Sequence, residues 1–211
     1  MKKLFILIVI FLVNEDFSFA QQMDSVAKKA SWDLHGEVSG YIIPDEYFLL
    51  PIVSADHNQL HLEARYNYED DKTASLFGGY NFSFGNKLSV DFTPMGGFAF
   101  GNTDGFVLGY NAEFSYWNLG FSTQAEYLFD FSDPDFNFFY SWNELYYLPA
   151  DWIWFGVSAQ RLREHQTSLD FQRGIFLAVQ KKWLTVSGYY FNPFTSDDFW
   201  VVTLGVDFST K

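Results

Sequence analysis

The chain has 211 residues and a formal net charge of -13, with charged residues at 18% and aromatic residues at 22%. That length suits one domain, the acid excess argues against nucleic acid as a partner, and the absence of cysteine excludes disulfides, thiolate metal sites and a cysteine nucleophile. Soluble domains carry roughly 25% charged residues. This chain is therefore short of solubilising charge and rich in side chains that suit a membrane interface, while a mean hydropathy of -0.07 rules out a bundle of apolar helices.

The N-terminus reads as a signal peptide over residues 1–20. Two lysines precede an apolar run from Leu4 to Val13 that is too short to span a bilayer as a helix, and "SFA" ending at Ala20 offers small residues for cleavage before Gln21. Residues 21–31 form a short periplasmic segment, and 32–211 make up the remaining domain. The mature net charge stays at -13, because Lys2 and Lys3 leave together with Glu15 and Asp16.

From Trp32 the hydrophobic period is two. In Trp32 to Ile43 the even positions are apolar or small, while Asp33, His35, Glu37 and Ser39 are polar. In Leu60 to Tyr68 the even set faces one way and His61, Glu63, Arg65 and Asn67 the other. Alternation continues through Ala74 to Phe84, Leu88 to Phe98, Phe106 to Tyr116, Leu119 to Phe129, Trp152 to Gln160, Ile175 to Val179, Leu184 to Tyr190 and Trp200 to Phe208. Phe138 to Tyr147 is a strand by length and aromatic content with poor alternation, and Glu144 is placed inward there. The apolar parity switches across Trp117 and Asn118, as a two-residue hairpin loop requires, so Asn111 is expected opposite Gln124 and Glu113 opposite Ser122.

A soluble sandwich or lipocalin-type barrel would turn the polar face to water, but that face carries little charge and the apolar face many Tyr and Trp at strand ends. The pattern fits instead a closed antiparallel transmembrane β-barrel with an apolar exterior, a polar lumen and aromatic girdles. Short links at Gly85 to Lys87, Trp117 and Asn118, Leu148 to Asp151 and Lys181 and Lys182 alternate with longer ones. They place the short links in the periplasm, where Trp117, Trp152 and Trp183 form an inner girdle. Eleven strands are visible, and both ends should be periplasmic. "EYFLLPIV" (Glu46 to Val53) supplies the twelfth despite Pro51, with a ten-stranded wall as the alternative.

The last strand, "FWVVTLGVDFSTK", resembles the C-terminal signal of bacterial outer-membrane β-barrels through Thr203, Gly205 and Phe208, although it continues to Ser209, Thr210 and Lys211. "LHLEARYNYED", "PMGGFAFGNTDG" and "QRG" are similar to stretches in a group of outer-membrane proteins without assigned activity. The resemblance implies outer-membrane localisation in a Gram-negative-type bacterium and recognition by the barrel-assembly machinery. It implies no cofactor.

The lumen candidates by parity are Glu63, Arg65, Glu113, Gln124, Glu126 and Glu144. Their plain role is to fill and hydrate the lumen, with Arg65 compensating carboxylates; their sharper one is a narrow, cation-preferring passage for a small solute. Arg161 and Arg173 flank the Leu162 to Asp170 loop with lipid-face parity, which suits phosphates of outer-leaflet lipid, including lipopolysaccharide, or a rim ion pair with Glu164 or Asp170. A lipid-modifying hydrolase would need Ser, His and an acid at the rim, and His165 with Thr167, Ser168 and Asp170 is the one such neighbourhood. His57 and His61 lack helical metal spacing, and no metal site is expected. The reading is thus an outer-membrane barrel acting as a small passive pore or a lipid-associated structural protein.

Overall fold

The computed structural model describes residues 31–44, 46–163 and 170–210. The signal peptide and the His165 neighbourhood lie outside these residues. The described chain consists of antiparallel strands: β1 (Asp33–Ile43), β2 (Glu46–His57), β3 (Leu60–Tyr66), β4 (Ala74–Tyr80), β5 (Phe82–Phe84), β6 (Leu88–Phe100), β7 (Gly105–Tyr116), β8 (Leu119–Asp130), β9 (Phe138–Ala150), β10 (Ile153–Arg163), β11 (Asp170–Lys181), β12 (Leu184–Phe191) and β13 (Phe199–Ser209). A single 3-10 turn, Pro134–Phe136, sits in the link from β8 to β9.

β4 and β5 both pair with β6 and are two halves of one strand. Asn81 interrupts it, where its side chain donates to Asp56 at 2.6 Å and accepts from Thr93 at 2.6 Å. Each remaining strand pairs with its chain neighbours and β1 pairs with β13, so the sheet closes as a twelve-stranded barrel. Most strands have eleven to thirteen residues, enough for a tilted strand to cross a bilayer. The expected pairs Asn111 with Gln124 and Glu113 with Ser122 are both present.

Pro51 is tolerated because of where β2 meets its neighbours. The ladder with β3 begins at Ile52, so the missing N–H falls just beyond its end. The Asn67 amide donates to the free Leu49 carbonyl at 3.2 Å at that same edge.

The outward face carries the large apolar side chains, among them Leu34, Val38, Leu62, Leu76, Leu108, Leu145, Val157 and Leu204. Closed backbone pairing leaves no unpaired ladder in hydrocarbon, and period two then delivers the other face to the lumen. The turns at one end are short: Asn58 and Gln59, Gly85 to Lys87, Trp117 and Asn118, Asp151 and Trp152, Lys182 and Trp183. Asn58, Trp117 and Lys182 take left-handed φ of 54°, 55° and 58° as first residues of two-residue turns. Trp117 is 84% exposed, and Trp152 and Trp183 are exposed beside it in sequence order around this rim.

One sequence expectation is corrected. Asn67 and Tyr68 are not a continuation of β3: Asn67 adopts φ 58°, its carboxamide oxygen accepts from Lys72 N–H at 2.9 Å, and the chain turns inward. Tyr68 therefore points into the lumen rather than to lipid. β6 keeps register with β4 and β7 through Gly96 and Gly97. A Cβ on Gly97 would lie 2.2 Å from the Leu76 carbonyl oxygen and 2.7 Å from Phe77 Cδ1, so the close approach of β4 leaves room only for glycine.

Candidate functional site in the barrel lumen

The half of the lumen at the end with the longer links is filled from two sides. One cluster gathers Tyr41, Leu50, Phe176, Tyr189, Phe191, Phe199 and Val201 from β1, β2 and β11 to β13. The other gathers Phe77, Met95, Val107, Leu128 and Phe138 from β4 and β6 to β9. They meet where Tyr68 and Tyr140 touch edge to face at 5.4 Å, and Trp142 packs within the first cluster against Tyr189 and Phe191, both at 5.2 Å. Parity alone marks these positions as inward; it does not say that they are aromatic enough to close on one another.

Arg65 is embedded in this layer, with a side chain 3% exposed. Its Nε donates to Glu63 and its Nη1 reaches across the lumen to Glu126 on β8 at 2.6 Å. Glu69 Oε1 lies 3.8 Å from the same nitrogen and accepts from Ser75 Oγ at 2.7 Å. The guanidinium is sandwiched between Tyr68, with its centroid 4.3 Å from Cζ, and Phe77 at 4.5 Å. Three buried carboxylates thus gather on Arg65, with His61 Nε2 a further 3.4 Å from Glu63, and a second oxygen of Glu69 and of Glu126 has no hydrogen-bond partner among the described residues. Burial pushes the Glu69 carboxyl in the loop after β3 upward, against the opposing pull of Arg65.

Below this layer, toward the short turns, lies a cavity of about 420 Å³. Glu37, Asp91, Glu113 and Glu144 line it with Ser39, Thr93, Asn111, Ser122, Gln124 and Thr203, under Tyr41, Tyr68, Tyr140, Trp142 and Tyr189. Among the described residues no lysine or arginine lines it. Three of the carboxylates are held by neutral donors, Ser83 to Asp91, Tyr146 to Glu113, and Trp142 Nε1 to Glu144 at 2.7 Å, while Glu37 has His35 Nε2 at 3.7 Å. Tyr146 reaches Glu113 because its ring lies over Gly120, where a Cβ would sit 2.1 Å from Cζ.

Of the sequence candidates, Glu63, Arg65 and Glu126 are thereby joined in one buried cluster, while Glu113, Gln124 and Glu144 line the cavity. Gln124 donates to Tyr68 Oη at 2.7 Å and so ties the two together. Asp91 and Glu37 complete the acidic wall, and both were readable from parity. Tyr68 and Glu69 were not, because the left-handed turn at Asn67 carries no parity signal. Arg161 and Arg173 lie apart from the lumen, exposed on the outward face near the ends of β10 and β11 that the 164–169 link joins, with Arg161 Cζ 5.6 Å from the Phe139 ring centroid. Among the described residues no group of histidines and acids is arranged to hold a metal ion.

No protein-family model and no curated sequence matches the chain. Its fold is similar to that of solved porins. The KdgM porin aligns with a TM-score of 0.59 at 13% identity, over 84% of this chain and 99% of that one. A structure described as the KdgM porin in complex with disordered oligogalacturonate aligns with the same score and coverage. OpdQ of Pseudomonas aeruginosa aligns at a TM-score of 0.44 and 12% identity, over 81% of this chain and 58% of that one. With the closed register, the apolar exterior and the exposed tryptophan rim, the chain has the fold of a closed twelve-stranded antiparallel β-barrel, similar to that of solved porins.

Proposed function

We propose that the barrel is a narrow passive pore that prefers cations. The observation that carries this reading is the cavity wall, on which Glu37, Asp91, Glu113 and Glu144 stand without a lysine or arginine among the lining residues. In a low-dielectric lumen a ring of carboxylates favours positive ions and repels negative ones. Arg65 does not cancel that field, because Glu63 and Glu126 neutralise it and the Tyr68 ring covers it. The porin-like fold supports passage without an energy source. Folded protein in a planar bilayer across a salt gradient should give cation-selective current steps. Asp91→Asn with Glu113→Gln should move the reversal potential toward zero; an unchanged potential would sink the selectivity argument.

A second reading is favoured by the rings that meet across the lumen at the end with the longer links. On it the barrel conducts nothing and acts as a lipid-associated structural protein of the outer membrane. Arg161 and Arg173, exposed on the lipid-facing side near the outer rim, offer two guanidinium groups to lipid phosphate. Arg161→Ala with Arg173→Ala should then lose co-purifying lipopolysaccharide, and full retention would remove the role of this pair. The hydrolase alternative has no support among the described residues.

A further inference from the structure

We propose that the lumen cavity is a binding site for a small organic cation with an apolar body, such as an aromatic or alkyl amine. This goes beyond conduction, since occupancy of the cavity needs no through-passage. Three features of the wall point to such a ligand.

The first is a row of like charges built into the sheet. Asp91 on β6 stands directly opposite Glu113 on β7, Glu113 opposite Ser122 on β8, and Ser122 opposite Glu144 on β9. Like charges at directly opposed positions destabilise a sheet, and here the donors that reach them are the neutral Ser83, Tyr146 and Trp142. An ammonium group placed against this row relieves the repulsion and gains charge-assisted hydrogen bonds.

The second is the facing wall. Tyr41, Leu50 and Tyr189 present rings and a branched chain to the same space, a surface with no use for an inorganic ion but suited to an apolar body and to cation–π contact. The third is size. At about 420 Å³ the cavity falls within the roughly 300–1,000 Å³ of small-molecule sites, far more room than one dehydrated metal ion takes. Acid on one wall and aromatic surface on the other select a ligand that is cationic at one end and apolar along the rest. An anionic sugar of the kind named with the KdgM porin meets the wrong charge here.

The test is calorimetric titration of the folded, detergent-solubilised barrel, its folding verified by heat-modifiable mobility, with phenethylammonium chloride, and with 2-phenylethanol and phenylacetate as neutral and anionic matches. Saturable binding of the cation alone, weakened about tenfold or more in Asp91→Asn with Glu113→Gln, is the expected result. Removing the opposed charges should not impair folding; should that double variant fail to fold, Glu144→Gln must show the same weakening. Absence of binding by the folded protein, equal affinity in the variants, or equal binding of the alcohol would overturn the proposal. Binding without current in the bilayer removes the pore reading alone, and cation-selective current without binding removes this one alone.

Discussion

Arg65 shows how one residue sets the chemistry of a lumen. Its guanidinium makes two direct contacts with carboxylates, lies between two rings and is almost completely buried. A buried ion pair of this kind is not a large net gain over an apolar filling, but removing one partner strands the others. Arg65→Met would leave Glu63, Glu69 and Glu126 without their common cation. The expected cost is about 3–5 kcal/mol, read as a lower urea midpoint for barrels in lipid vesicles followed by tryptophan fluorescence. Adding Glu126→Gln to Arg65→Met should recover part of that loss, since the two side chains are coupled. Arg65→Lys keeps the charge but not the planar fork that spans Glu63 and Glu126, so it should fall between wild type and Arg65→Met. A midpoint unmoved by Arg65→Met would mean that the carboxylates take up protons at no cost and that the cluster is not an ionic one.

At the scale of elements, most of the wall was legible because a membrane barrel imposes one rule on every strand. Period two with apolar residues on one parity located ten of the twelve strands and predicted the hairpin pairs, since a one-residue slip would bury the wrong face in lipid; β9 was read from length and aromatic content and β2 from the even strand count. Boundaries came out short. β11 runs over Asp170–Lys181, well beyond Ile175 to Val179, because its outer end carries Arg173 and Gln172 and its inner end Gln180 and Lys181, which break the apolar pattern without breaking the ladder. β9 was hard to read for a different reason. Its outward positions include Ser141 and Asn143, and Asn143 accepts from Thr123 of β8 at 2.7 Å on that same face, so the polar residue is satisfied sideways and the alternation is blurred. The filling of the lumen was legible only in part. Phe48, Leu50 and Ile52 on β2 are inward by register but apolar, and a sequence that is apolar on both faces does not announce which face meets lipid. The C-terminal extension also has a structural use: Ser209 donates to Asp33 at 2.6 Å and Thr210 N–H to the Trp32 carbonyl at 2.9 Å, which continues the closing seam past Phe208.

The whole molecule has two unlike ends, and that asymmetry fixes which way it faces. The end with two- and three-residue turns carries Trp117, Trp152 and Trp183, together with Lys87 and Lys182. The other end carries the longer links 67–73, 131–137 and 192–198 beside the short links 44–45 and 101–104, and one of the longer ones turns inward to deliver Tyr68 and Glu69 to the lumen. Outer-membrane barrels keep short turns in the periplasm and longer loops outside, so the Arg65 layer should lie toward the exterior and the acidic cavity toward the periplasm. The natural chain contains no cysteine, which makes single introduced thiols unambiguous reporters. Thr195→Cys, in the exposed link 192–198, should react on intact cells with a membrane-impermeant maleimide, whereas Asn86→Cys, in the turn between β5 and β6, should react only after the outer membrane is permeabilised. The opposite pattern would invert the barrel and put the cavity on the outside. Its acidic row would then meet solutes before the aromatic layer does, and a cation bound there would be held at the cell surface instead of on the periplasmic side of the constriction.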